Sequence, residues 1–320
     1  MQPAFAIIAN QQNITSLIKD RLLSLQITDQ AGIKSDMLTL TLDDRNHHIA
    51  LPNHGAELEC YIGCQTLNYM GLFVVDEVEI ASPPATLTIR AHAADMRASL
   101  KSSRNQSYTG ITLGDLLHTI AKRHSLNPKI TGDLATTHYD HINQIKESDI
   151  NLLTRLTKEL DAITTVKAGN LMIAPKAKGK TISGETLPTT QLKQDDLTSW
   201  RVTIADRQAY QSVIASYYDH DEAQTINVLV GVGEPQYSIK KTYKDENTAL
   251  AAAKAKYQEF ARGTRKLSLT LPYQSGLMAE TPINLTHIRE GINGDWIIEE
   301  ATHELSNQGL TTRINATLKE

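Results

Sequence analysis

Alternation of apolar and polar residues dominates the first hundred positions of the chain and predicts β-strands. Leu38, Leu40 and Leu42 alternate with threonines, and the run 87–93 alternates in the same way. The segments "LPNHGA" and "SPP" supply breaks between such runs. Short alternating runs separated by turn residues are typical of an antiparallel barrel or sandwich. We therefore expect a β-rich unit at the front of the chain.

The periodicity changes near residue 112, where two amphipathic helices are predicted. In "TLGDLLHTIAKRH" the apolar residues fall on one helical stripe, and Thr112 and Asp115 have the spacing of a capping pair. In "ESDINLLTRLTKELDA" the apolar residues keep the helical period, with Ser148 as the predicted N-cap. A short strand, "TTVKAGNLMIAP", follows. We interpret residues 112–174 as a small α+β unit.

Strands resume after a polar segment at about 176–196, whose glycines and proline indicate a linker. One helix is predicted in the last third of the chain, over about 245–262, with Gly263 as its C′ residue. The tail has the pattern of a meander, in which Asn293-Gly294 is a hairpin-turn signal.

These patterns predict a mainly β fold with an α+β insertion, in which two barrel-like domains flank a small mixed domain. The first barrel-like domain is expected over 1–108 and the α+β insertion over 109–178. A linker over 179–196 then leads to the second barrel-like domain, 197–320, which contains the single predicted helix of that region.

Composition and charge exclude several classes of function. The chain has 320 residues, of which 40% are hydrophobic and 21% charged, as in an ordinary folded soluble protein. Its net charge of -4 argues against a surface whose main role is to neutralise phosphates. The front resembles no signal peptide, and no apolar run is long enough to span a bilayer. Cys60 and Cys64 are too far apart in a strand for a disulfide, so we expect free thiols.

Two fragments match the phosphate-binding and magnesium-binding patterns of NTPases only loosely: "APKAKGKT" at 174–181 and "GLFVVDE" at 71–77. Ala174 replaces the first glycine of the stricter phosphate-loop pattern, and "ISGETLPTT" follows where the chemistry requires a helix. Asp76 also precedes the loop, whereas the metal-binding acid normally follows it. We therefore expect no measurable ATP binding.

Other chemical signals are weak as well. His138 and His141 have a spacing that could bind a metal on a helix, but no third ligand is obvious. Adjacent acids such as Glu299 and Glu300 point to opposite faces of a strand and cannot act as a pair. His303 is expected in a strand, facing a partner or solvent. We predict no catalytic, cofactor-binding or metal site, and hence no enzyme.

Long segments in a specific order carry a resemblance to a known family. They are "PAFAIIANQQNITSLIKDRLLSLQITDQAGIKSDMLTLTLDD" and "GLFVVDEVEIASPPATLTIRAHAADMRASLK" at the front, "NQIKESDINLLTRLTKELDAITTVKAGNLMI" in the middle, and "GLMAETPINLTHIREGINGDWIIEEATHEL" near the end. Over nearly its whole length the chain resembles the phage late control D protein family, tail proteins similar to the central baseplate hub of contractile-tailed phages and tailocins. Ser125 departs from this family, which often carries Gly after the helix.

The resemblance implies two barrel-like tube domains around the mixed insertion, and a homotrimer that forms a ring of six similar modules. Such a ring would meet a six-fold tail tube on one face and a three-fold spike on the other. The implied partners are the tail spike protein, the tail tube protein, other baseplate proteins and, as a further candidate, the tape measure. No sequence-specific nucleic-acid binding, membrane insertion or catalysis is expected. The implied location is the virion tail, after synthesis in the cytoplasm of a bacterial host.

Two alternatives stay open at this point: a type VI-like secretion spike hub component, and a tail-tip protein that binds or degrades cell wall. Type VI spike proteins carry a similar front half fused to a long spike. In this chain the last predicted strand ends just before Glu320, so we expect any spike to be a separate protein. A hairpin tip near the end is the candidate partner interface, because loops on rigid β scaffolds commonly carry contacts. Its residues are His287, Ile288, Arg289, Glu290 and Asn293.

Overall fold

The alternating runs at the front form antiparallel strands, as the sequence predicts. The computed structural model describes residues 3–94, 98–179, 186–205 and 210–319. A short helix, α1 (Thr15–Ile18), lies among the first strands. Those strands are β1 (Ala4–Ala9), β2 (Gln12–Asn13), β3 (Leu22–Gln30), β4 (Met37–Asp43), β5 (Glu57–Gly63), β6 (Leu67–Ala81) and β7 (Thr86–Ala93).

One face of these strands builds the first hydrophobic core. Leu38, Leu40 and Leu42 are at most 1% exposed, because every second residue of a strand points to the same face. Cys60 is buried and Cys64 half-buried, and both are free thiols, as expected. Burial raises the pKa of the Cys60 thiol, which keeps it protonated.

The elements between Leu100 and Pro175 pack around a second core and form the mixed insertion. Its elements are β8 (Ser103–Thr112), α2 (Leu113–Arg123), β9 (Asn127–Ile130), α3 (Gly132–Ala135), β10 (His138–Ser148), α4 (Asp149–Lys158), β11 (Ala162–Lys167) and β12 (Asn170–Pro175). Both predicted helix caps are confirmed: Thr112 Oγ1 accepts from the Asp115 amide at 3.1 Å, and Ser148 Oγ accepts from the Asn151 amide at 3.3 Å. Leu100 packs in this core, although it precedes the expected boundary at 108/109.

The last third of the chain contains two packed units. The elements are β13 (Thr190–Lys193), β14 (Ser199–Ile204), β15 (Ser212–Asp219), β16 (Gln224–Gly231), β17 (Gln236–Tyr243), α5 (Glu246–Gly263), β18 (Arg265–Pro272), β19 (Pro282–Thr286), β20 (Gly294–Ser306) and β21 (Gly309–Leu318). Strands β15 to β17 form a small sheet covered by α5, whose Ala249 and Ala253 are fully buried and allow a close approach. The remaining strands enclose a third core around Trp296.

Two local expectations differ from the structure. The range expected to be a linker contains β13, which pairs in parallel with β19. Lys180, the lysine of the phosphate-loop pattern, lies outside the described residues. Gly263 is the last helical residue of α5 rather than a C′ residue, and Thr264 caps the helix in a right-handed conformation.

A single large sheet joins the first and third cores. Its strands run in the order β14-β18-β21-β20-β3-β4-β7-β6-β5-β1-β2, and β19 pairs with β20 beside this path. The link is the antiparallel pair β20–β3, between segments nearly the whole chain apart. The structure therefore confirms a mainly β architecture with a mixed insertion. The domain boundaries themselves stay predictions.

Candidate functional site

The large sheet consists of two halves with the same strand order. In the front half the order is β3-β4-β7-β6-β5-β1, and in the rear half it is β14-β18-β21-β20-β19-β13. The order along the chain matches as well, if β15 to β17 and α5 are treated as an insertion between β14 and β18. One pair differs, since β1 is antiparallel to β5 whereas β13 is parallel to β19. The chain thus contains an internal structural repeat.

The repeat extends to register and sequence. Strand β6 has an irregularity between Val75 and Glu77, and β20 has one between Ile298 and Glu300. Aligning these irregularities places "FVVDEV" at 73–78 on "WIIEEA" at 296–301 and "LTLTL" at 38–42 on "LSLTL" at 267–271. The largest core side chains of the two halves, Phe73 and Trp296, then occupy the same position.

The pair β20–β3 is the junction between the two halves. It runs for seven residue pairs, from Glu300 opposite Gln30 to Ser306 opposite Ser24. Gln30 Nε2 donates to Glu300 Oε2 at 2.8 Å. The junction is therefore held by a hydrogen bond between one side chain of each half, in addition to the backbone ladder.

His303 lies at this junction and is only 2% exposed, so the expectation that it faces a partner or solvent is wrong. Its Nδ1 lies 2.9 Å from Thr312 Oγ1, and its ring packs edge-on against Tyr273 at a centroid distance of 5.3 Å. Burial lowers the pKa of His303, which favours the neutral imidazole. The sequence could not show this burial, because β3 covers the strand from a remote part of the chain.

The strands equivalent to those of the junction have open edges. Strand β20 corresponds to β6, and β3 corresponds to β14. Among the described residues, β14 pairs only with β18, through residues 199–204. Strand β6 pairs with β5 up to Val74, and Val75 still hydrogen-bonds to Gly55 and Ala56 on that side. Beyond Val75, the described residues pair β6 with β7 alone. Each chain thus contains one complete junction and the two unpaired components of another.

Both open edges carry an exposed isoleucine. Ile80 on β6 is 55% exposed and Ile204 on β14 is 63% exposed. Their charges differ in sign: the β6 edge carries Glu77 and Glu79, whereas Arg201 projects from β14. We call these two segments, 76–81 and 199–204, the open edges.

The predicted hairpin tip connects β19 to β20, and its residues differ in what they can contact. His287, Arg289 and Glu290 are exposed, so a partner could reach them. Ile288 is half-buried and packs against the third core. The Asn293 side chain instead accepts a hydrogen bond from the Ile288 amide at 2.9 Å, which holds the loop together. That the tip contacts a partner stays a prediction.

The hairpin-turn prediction at Asn293-Gly294 is also corrected. The turn spans residues 287–293, and Gly294 is already the first residue of β20, opposite Leu285. Buried Ile292 anchors the tip, and its carbonyl accepts a hydrogen bond from Trp296 Nε1 at 3.0 Å. The longer turn arises because a tryptophan beneath it holds the tip in place.

A network in the insertion places an exposed serine, a buried histidine and a buried carboxylate in series. Ser99 Oγ lies 2.9 Å from His124 Nδ1, and His124 Nε2 lies 2.8 Å from Asp149 Oδ2. This order matches the nucleophile, base and orienting acid of some hydrolases. Sequence reasoning missed it because the three residues come from separate elements with no shared motif.

The surroundings of Asp149 indicate a structural role for this network. Burial disfavours its ionised form, but hydrogen bonds from Gln144, His124 and Arg123 outweigh that effect and hold the pKa of Asp149 below its ordinary value. Arg123 Nη1 contacts both carboxylate oxygens, at 2.8 and 2.7 Å. With His124 itself only 3% exposed, the network joins the end of α2 to the start of α4.

Neither a metal cluster nor a membrane-crossing helix is found in the part of the chain that the structure describes. There, no three His, Cys, Asp or Glu side chains are grouped so as to hold an ion. None of the described helices is both long and apolar enough to cross a bilayer. His138 and His141 lie on β10, a strand rather than a helix, and both are exposed.

Comparison with known proteins gives one consistent family. The family model described as "Phage tail baseplate hub (GPD)" matches residues 74–309. A protein of Escherichia phage 186 named "Probable baseplate hub protein" is 32% identical, over 100% of this chain and 94% of its own length. A protein of the same name from Escherichia phage P2 is 30% identical, over 98% of this chain and 92% of its own length.

Solved structures share the fold at much lower identity. The 43 kDa tail protein of prophage MuSo2 from Shewanella oneidensis has a TM-score of 0.74 and 16% identity, with 98% of each chain covered. A component of the type VI secretion system of Escherichia coli has a TM-score of 0.55 and 12% identity, covering 94% of this chain and 74% of that one. At such identities the likeness concerns the fold alone.

Proposed function

Because the chain belongs to the phage tail baseplate hub (GPD) family, we propose that it is the structural hub at the centre of the baseplate of a contractile tail. In this role it joins the six-fold tail tube to the three-fold spike, and tail assembly depends on it. Its site of action is the tail of the virion. The observation that carries the proposal is the repeat of one sheet within one chain.

The repeat provides a mechanism for matching the two symmetries. Three copies of a chain with two related sheet halves present six related modules, while the chains themselves remain three-fold related. A hexameric tube can therefore contact six similar surfaces, and a trimeric spike can contact three identical ones. The working form of the protein is accordingly a homotrimer.

The polar face of the large sheet is the surface we assign to the channel of this ring. Opposite the cores, the strands present mainly hydroxyl and charged side chains: Ser24, Thr39, Thr41, Thr88, Arg90, Arg201, Ser268, Thr270, Glu300, Glu304 and Arg313. Acids and bases alternate on this face, so it holds no large patch of one sign. Such a lining would let a nucleic acid pass without retaining it.

The test uses the full chain with the tube and spike proteins of the same tail. Size-exclusion chromatography with light scattering should give the mass of a trimer, and the trimer should co-elute with each partner separately. Adding the tube protein alone and the spike protein alone distinguishes the two faces of the ring. A stable monomer that binds neither protein would contradict the proposal.

A type VI-like spike hub is the second candidate, and the shared fold with a type VI component is the observation that favours it. Neighbouring genes separate the two: sheath, tube, tape-measure and lysis genes together indicate a phage or tailocin. A wall-binding or wall-degrading tail tip predicts retention on peptidoglycan or release of soluble fragments. The absence of both would remove that third candidate.

A further inference from the structure

We infer that the two open edges pair with each other between copies: residues 77–81 of β6 in one chain form an antiparallel ladder with residues 201–205 at β14 of a second copy. The partner is thus a second copy of this chain, bound head to tail. This inference rests on the proposed ring-forming hub, and it specifies the strands and the register that close the ring.

The register follows from the junction inside the chain. Aligning the two halves through their strand pairs places Glu77 on Glu300 and Arg201 on Gln26. Since Glu304 lies opposite Gln26 at the junction, Ala81 should lie opposite Arg201. The same step places Glu79 opposite Thr203, Ile80 opposite Val202 and Val78 opposite Ile204.

The exposure of the isoleucines supports this pairing. Ile80 corresponds to His303, and Ile204 corresponds to Asp29. These counterparts are 2% and 9% exposed at the internal junction, whereas the isoleucines are 55% and 63% exposed in the single chain. In the inferred ladder both isoleucines lie on the core face, each opposite a valine, so pairing would cover the apolar surface that the single chain leaves open.

Charge and backbone chemistry favour the same partner. The β6 edge carries Glu77 and Glu79, which share a single base, Arg90, within the chain, so this edge stays acidic. Arg201 on β14 and Lys266 on the neighbouring β18 provide the opposite sign. Both segments also present backbone N–H and C=O groups for which the described part of the chain provides no strand partner, and a second strand would satisfy them. The ladder ends before Pro83, which has no amide hydrogen to donate, so it is shorter than the internal one.

Disulfide trapping tests the register directly. The variant pair Glu79→Cys and Thr203→Cys places two thiols opposite each other on exposed positions of the inferred ladder. Six strands separate β6 from β14 within one sheet, so a bond between these positions must join two chains. The matched control is Glu77→Cys with Arg201→Cys, which the inferred register offsets by four residues, or about 13 Å, beyond the reach of a disulfide.

The protein is oxidised as the full chain, and its mass is measured separately by light scattering. We expect covalent dimers and trimers from the 79/203 double variant. A mixture of the two single variants should give covalent dimers only, because each chain then carries one introduced thiol. We expect neither product from the control pair or from the unsubstituted chain with Cys60 and Cys64. The mixture also serves if the double variant fails to fold.

Each outcome decides between the inference and the function on which it rests. A trimer that cross-links at 79/203 supports the ladder. A trimer that fails to cross-link there, or that cross-links at the offset pair, overturns the ladder and leaves the hub proposal standing. A monomer at every concentration overturns both.

Discussion

Replacing Ile80 by serine is expected to weaken the trimer more than it weakens the fold of the single chain. Ile80 is 55% exposed in the chain by itself, whereas its counterpart at the internal junction is 2% exposed. About half of the side chain therefore remains to be covered by a neighbouring copy. The half that is already covered contributes about 1 kcal/mol to the fold of the single chain, so Ile80→Ser should lower the free energy of unfolding of the monomer by no more than about that amount.

The expected loss can be estimated from the area still exposed. Fully burying an isoleucine side chain stabilises by about 1.5–3 kcal/mol, so covering half of it contributes roughly 1 kcal/mol at each interface. A ring of three chains contains the interface three times, which gives about 3 kcal/mol for the trimer as a whole. At about 1.4 kcal/mol per tenfold change, the trimerisation constant should fall on the order of a hundredfold.

A dilution series followed by mass photometry or analytical ultracentrifugation measures this shift. Ile204→Ser should weaken the trimer to a similar extent, since Ile204 is 63% exposed on the other open edge. Leu229→Ser is the matched control, because Leu229 is 54% exposed on β16, outside the large sheet. Equal effects of the Ile80 and Leu229 substitutions, or an unchanged trimer in both isoleucine variants, would refute the reasoning.

Three further predictions concern buried groups and candidate chemistry. Asp149→Asn should lower the free energy of unfolding by about 1.5–3 kcal/mol in urea titrations, because a neutral amide no longer accepts charge-assisted hydrogen bonds from half-buried Arg123 and buried His124, whereas exposed Asp133→Asn should have little effect. Burial and the nearby Asp29 raise the pKa of Asp36 to about 6, so its stabilising contribution is complete below pH 4 and is lost as the pH rises through 6. Unfolding curves of Asp36→Asn should lack that decline between pH 4 and 7. Ser99→Ala should leave assembly unchanged. A fluorophosphonate probe should not label Ser99, since the neighbouring histidine and carboxylate are held in a buried ion network. Labelling of Ser99 would instead support a hydrolase activity.

Local features of the fold could be predicted because their causes are local. The caps at Thr112 and Ser148 depend on side chains three residues apart, and both are present. The core leucines of β4 follow from strict alternation within one strand. Each of these signals lies within a single window of sequence, so no knowledge of remote partners is needed.

Features that depend on remote strands could not be predicted. Strand β13 is four residues long and polar enough to resemble a linker, and only its parallel partner β19 makes it a strand. The burial of His303 likewise depends on β3. The candidate interface could not be predicted for the same reason. A sequence can indicate a hairpin tip, whereas an open edge is recognised only when the partners of every strand in the sheet are known.

The internal repeat leaves a trace in the sequence, but the matching segments are short and are separated by an insertion. The segments "LTLTL" and "LSLTL", and "FVVDEV" and "WIIEEA", match well, but they are short. The rear half also contains β15 to β17 and α5 between β14 and β18, so no constant offset aligns the two halves. Hydrophobic alternation alone, which any strand shows, could not establish the correspondence.

The chain protects one edge of its large sheet while leaving others open, and the difference argues that the open edges have a function. At β1 the Ile7 amide donates to Thr15 Oγ1 at 3.0 Å, and its carbonyl accepts from the Ile14 amide at 3.0 Å, so the segment around α1 covers that strand. Exposed edges invite uncontrolled pairing, and proteins usually cover or shorten them. No described residue covers the rear half of β6 or the free side of β14 in this way, and both present isoleucines. These two edges belong to different halves of the sheet, so they are complementary rather than identical. A head-to-tail contact that closes a ring pairs the β6 edge of every copy with the β14 edge of its neighbour.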